Sequence, residues 1–167
     1  IFLNGTHTHT GPQQVPGSFY GLYDVSADEG VMNATDCGAF LVDRLAGVIE
    51  KAWKNRKPGV MSWGLGQAVV GYNRRAVYFD GTAKMYGDTD RKDFDRIEGY
   101  EDHNLPILFF WDVDQRMTGM VVNLTCPAQE TESLSVVSAD FWHDVREEFN
   151  QRHGSGIHLF PQCGAAG

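Results

Sequence analysis

Apolar positions recur along this chain in two rhythms. Leu41, Leu45, Val48, Ile49, Ala52 and Trp53 return every three or four residues, the period of a helix with one apolar face. Asp36 is placed to cap that helix, Lys51, Lys54, Arg56 and Lys57 suit its negative end, and Pro58-Gly59 stops it. A second helix is expected from Ser138, with Phe141, Trp142, Val145 and Phe149 on one face and an end near Gly154. Extended runs fall at residues 1–8 and at 60–71, the latter loosened by Gly64 and Gly66 and leading into the stretch from Tyr72 to Thr82. "LPILFFW" at 105–111 and "MVVNLTC" at 120–126 flank a polar turn and predict a hairpin, and "GIHLFPQC" predicts a last strand. Residues 11–35, with four glycines and two prolines, read as a long loop, and 84–104 as a solvated excursion. This alternation predicts an α/β domain, a layered sheet with flanking helices.

Composition changes that picture little. With 167 residues, 42% apolar and 22% charged, one domain able to bury a core is the default. A formal charge of -8 leaves no broad basic surface, so nucleic acid is a poor partner, and no run reaches the length of a membrane span. The acidic stretches at 88–95 and 147–148 read as solvated faces. The chain opens on an apolar strand and stops in a small-residue turn, which predicts a partial domain over 1–167 whose edges meet the remainder of the same domain. Cys37, Cys126 and Cys163 are widely spaced with no C-x-x-C pair, which favours buried free thiols. The sequons at Asn4, Asn33 and Asn123 are compatible with a secretory pathway.

Candidate chemistry concentrates in "THTHTGP", Thr6 to Pro12. On a strand, His7 and His9 would share one face and could serve one site, as a metal ligand and a substrate-facing partner. Two hydrogen-bonded histidines at a strand end are the plainer reading. Asn73-Arg74-Arg75 could aim a guanidinium at a carboxylate, phosphate or oxyanion, and Asp80-Gly81 is first a turn signal. Cys126 and Gln129, where the hairpin ends, could line a pocket; a nucleophilic Cys126 would need a depressed pKa and a neighbouring base.

In order, "NGTHTHTGP", "YNRR…DG", "VVNLTCP", "SADFWHDVREEF" and "LFPQCGAAG" resemble the neutral/alkaline non-lysosomal ceramidase family over nearly the whole chain. The resemblance implies the N-terminal part of a zinc-dependent amidase domain acting on a small-molecule or lipid N-acyl substrate. His7 then looks like a zinc ligand, His9 like a partner near the substrate carbonyl, and Arg74, beside Asn73, like the family's pocket arginine. Where that family carries a second zinc-ligating histidine before a proline, this chain has Cys126 before Pro127. The resemblance leaves open whether Cys126 or Gln129 compensates, whether another metal is preferred, or whether none is held. The family's nucleophilic serine, in a G-D-x-S-P motif, and its remaining ligands would follow Gly167, so the chain alone is not expected to catalyse the reaction. The resemblance also implies periplasmic or extracellular placement. The rival expectation is a non-catalytic ligand-binding domain that kept the fold and lost the metal.

Overall fold

The computed structural model describes residues 1–16 and 27–166. The long loop read from the sequence at 11–35 therefore lies partly outside the described residues. In chain order the elements are α1 (Ala34–Lys54), β1 (Gly59–Gln67), β2 (Arg75–Tyr78), β3 (Ala83–Met85), β4 (Phe94–Ile97), β5 (Asn104–Asp112), β6 (Met117–Leu124), α2 (Phe141–His153) and β7 (His158–Cys163). β1, β5, β6 and β7 form a four-stranded sheet in the order β1-β5-β6-β7, and β3-β2-β4 form a smaller one. This is the layered α/β class expected from the element pattern.

β6 is the spine of the larger sheet. It pairs antiparallel with β5 as the predicted hairpin and parallel with β7, with α2 in the crossover between them. Burial alternates along the spine and continues past its end. Met120, Val122, Leu124, Cys126 and Ala128 are buried, while Val121, Asn123, Thr125, Pro127 and Gln129 are half-buried. The buried set joins Trp142 of α2 and Leu159 of β7 in one core, against which Phe109, Phe141 and Phe149 pack. At about 25 cal/mol per Å² of apolar surface, this seam is where the sheet gains most from burial.

Four expectations need correction. Residues 1–8 form no strand: Ile1, Phe2 and Leu3 are 93%, 76% and 69% exposed, and His7 has a φ of 59°, outside the extended region. α1 is capped not by Asp36 but by Asn33, whose Oδ1 accepts from Asp36 N at 2.9 Å, leaving Asp36 in the first turn. α2 starts from Asp140 rather than Ser138. The excursion at 84–104 contains β3's end and β4, which pair on either side of β2. Only β2 is buried in that small sheet, at Ala76, Val77 and Tyr78, so the edge strands keep a polar sequence that carries no alternation to read.

α1 has the predicted amphipathic spacing yet buries none of its residues, and Val48 and Trp53 are well exposed. The Asp80-Gly81 turn is as read: Asp80 Oδ1 accepts from Thr82 N and Oγ1, and Gly81 takes the positive φ of 81°.

Candidate functional site

Three segments distant in sequence meet where β6 ends. The first is Thr6 to Thr10. Thr6 O accepts from Ala128 N at 3.0 Å, and Thr10 O accepts from Ser138 N at 3.2 Å. Thr8 Oγ1 and Thr10 Oγ1 lie 3.0 Å apart, and both reach Ser138 O. Thr10 is almost wholly buried in this arrangement. The threonines of "THTHT" thus fasten the segment, and the histidines between them stay exposed. Although the segment is not a strand, the His7 and His9 rings still lie side by side, with centroids 5.1 Å apart.

The second segment is the turn after β6. Asp140 anchors it. Its Oδ2 accepts from both Thr131 N and Thr131 Oγ1 at 2.7 Å, its Oδ1 accepts from Phe141 N at 2.8 Å, and its own N–H reaches Ser138 Oγ. Burial pushes the Asp140 carboxyl upward, but the bonds from Thr131 and Phe141 outweigh it and hold the group below the ordinary aspartate value. The anchored turn carries Gln129 and Glu132 to His9. Glu132 Oε2 lies 3.0 Å from His9 Nδ1, and Gln129 Nε2 contacts His9 Nε2. An open hollow of about 320 Å³, lined in part by Thr131, Ser138, Asp140 and His143, lies beside this clamp.

The third segment, Gly71 to Arg74, passes so close to Thr125 and Cys126 that a Cβ on Gly71 would sit 2.9 Å from Thr125 O. Asn73 donates from Nδ2 to Glu98 O and accepts from Arg75 N, while its own N–H reaches Glu101 Oε1 at 2.9 Å. Arg74 lies over the Tyr86 ring, 4.7 Å from its centroid, and donates to the Tyr86 hydroxyl.

The sequence-predicted residues therefore divide. His7, His9 and Gln129 come together. Gly71 packs against Thr125 and Cys126, but Asn73 and Arg74 have their side chains engaged with Glu98 and Tyr86. Cys126 belongs to the core cluster, on the opposite parity from Gln129. Burial pushes its thiol up, and the carboxylates of Glu130 and Asp140 and the neighbouring Cys163 push it further. Its Sγ lies 3.5 Å from Pro127 O, and a thiol pushed upward in this way lacks the activation that a nucleophile needs. Sequence reading missed Glu132, Thr131 and Asp140. Asp140 carried a usable signal, an aspartate immediately before the first apolar position of α2; Glu132 carried none.

A zinc site requires three or four donors converging on one point. Among the described residues no three His, Cys, Asp or Glu side chains do so. His7 is exposed, with its ring beside that of His9.

The four-stranded sheet with its crossover helix defines a mixed α/β fold of the ceramidase-like kind. Two solved structures carry that likeness: a neutral ceramidase from Pseudomonas aeruginosa and a structure titled as ceramidase complexed with C2. Each superposes with a TM-score of 0.52 at 16% identity over 75% of this chain. The chain spans 19% of the length of each. No family model matches the chain, and neither does any curated protein. No helix among the described residues is long and apolar enough to cross a membrane.

Proposed function

We propose that this chain is part of a ceramidase-like hydrolase that cleaves the amide bond of an N-acyl substrate, lipid or small molecule, on the surface at the end of β6. The observation that carries the reading is the convergence there of 6–10 and 125–132, with two adjacent exposed imidazoles held on a buried threonine clamp. The likeness of fold to ceramidases supports the same reading.

In this site His9 touches the substrate amide, and the Arg74 guanidinium, released from Tyr86, supplies a fork of donors to the carbonyl oxygen as charge develops on it. Gln129 and the half-buried face of the turn form the wall on which the acyl amide lies. Zinc belongs to the proposal as well: His7 would be its ligand from this chain, the other donors lying outside the residues described. Its chemistry would be polarisation of the carbonyl or activation of water. Placement in the periplasm or outside the cell is part of the same reading.

The alternative is a binding domain that holds an N-acyl ligand without cleaving it. Elemental analysis of the longest form of the protein carrying this chain, beside His7→Ala, separates the two. Near-stoichiometric zinc that disappears in the variant supports the hydrolase. Binding of N-acyl amides with neither zinc nor hydrolysis supports the binding domain.

A further inference from the structure

The polar contacts of His9 define one protonation pattern. A carboxylate only accepts, so the 3.0 Å contact between His9 Nδ1 and Glu132 Oε2 requires the proton on Nδ1. The Gln129 amide nitrogen also lies against the imidazole, close to both ring nitrogens rather than along the Nε2 lone pair. In the neutral ring, a proton on Nδ1 satisfies the Glu132 contact and leaves the lone pair on Nε2.

The backbone makes this a built arrangement. Glu132 N lies 3.4 Å from Gln129 O in a tight turn, and Thr131 between them is fixed by the buried Asp140 carboxylate. On the other side, Thr8 and Thr10 hold the His9 backbone against Ser138. Both the imidazole and its carboxylate therefore hang from anchored main chain.

We propose that Glu132 is the positioning residue for His9, holding it in the Nδ1–H tautomer so that Nε2 presents a lone pair. The group that fits is a donor, an amide N–H or a hydroxyl, and not a carbonyl oxygen. On the functional reading above, on which this inference rests, His9 takes the N–H side of the scissile amide and leaves the carbonyl to Arg74. N-acyl substrates with a free amide hydrogen are selected over tertiary amides, which have no hydrogen to give.

The side chains of His9 and Glu132 are 43% and 52% exposed, so the pair contributes little to stability and its removal leaves the fold intact. The test is nitrogen-15 NMR of the histidine rings in the full chain, well above the ordinary imidazole pKa of about 6.5, with His9→Gln used to assign the resonances. The expected result is a protonated Nδ1 and a pyridine-type Nε2 on His9. Glu132→Ala shifts the proton to Nε2, and Glu132→Gln, whose amide oxygen still accepts, keeps it on Nδ1. A proton on Nε2 in the unaltered protein, or a tautomer unchanged in Glu132→Ala, overturns the proposal. Where amide turnover is measurable, Glu132→Ala lowers it roughly 10- to 100-fold, as when the orienting partner of a functional histidine is lost; Glu132→Gln restores most of it. The expected tautomers in a protein that cleaves no amide would leave Glu132's role standing and remove the hydrolase reading instead.

Discussion

Asp140 is the residue on which the turn beside the histidines depends, and its replacement has a magnitude that can be worked out. It is 3% exposed, caps α2 and accepts three hydrogen bonds. Loss of a helix cap costs about 1 kcal/mol. Leaving the Thr131 donors without an acceptor adds roughly 1–3 kcal/mol. Asp140→Ala should therefore lower unfolding free energy by about 2–4 kcal/mol. Asp140 also has φ 56° and ψ -154°, a region close to exclusive to glycine that costs of order 1–3 kcal/mol for other residues. Asp140→Gly loses the same bonds and sheds that strain, so it should be the milder change by about 1 kcal/mol after glycine's larger unfolded-state entropy. Glycine is also the better of the two at an N-cap, so both effects rank the variants the same way. Urea unfolding of the three proteins, with m-values compared, measures both numbers. A loss under about 1 kcal/mol in Asp140→Ala, or an alanine variant as stable as the glycine variant, would refute the reasoning.

The same carboxylate gives a pH dependence. Its pKa is lower folded than unfolded, so its contribution is present above the ordinary aspartate value of about 3.9 and disappears as pH falls through the folded value. Acid unfolding of Asp140→Asn should be shallower over that window, and an identical acid limb would contradict the assignment. Gly71→Ala would force its Cβ against Thr125 O, a main-chain atom that cannot step aside, and should cost roughly 1–3 kcal/mol in urea. Cys126, buried and with its thiol pKa raised, should be the slowest of the three cysteines to react with iodoacetamide at neutral pH, read by peptide mass spectrometry; labelling faster than at half-buried Cys37 would reinstate it as a reactive thiol.

Where the sequence carried a periodic apolar signal, it led to the right element. The hairpin of β5 and β6, the crossover helix and β7 all lie on the buried seam, and burial is what imposes periodicity. Ile1-Phe2-Leu3 carried an apolar run without a partner strand among the described residues, and the run misled. β3 and β4 are exposed edges, so nothing selected alternating residues there. In the site, "THTHT" pointed to two histidines whose rings do lie side by side, although the face-sharing argument rested on a strand that does not form. What joins His9 to Gln129 and Glu132 is the folding of residues 120 or more apart onto one strand end, which no local spacing encodes. Arg74 and Asn73 were legible as polar residues at a turn, but their engagement with Tyr86 and Glu98 follows from the small sheet, which was not.

The central claim is that the imidazole pair at the end of β6 serves amide cleavage. Its most direct test is kcat/KM for release of the amine from N-acyl amides by the longest form carrying this chain, measured beside His9→Gln. The account predicts turnover of secondary N-acyl amides and a loss of roughly 100-fold or more in the variant, the scale of a positioned acid–base group. Equal rates in the two proteins, or no cleavage of any N-acyl amide, would contradict it.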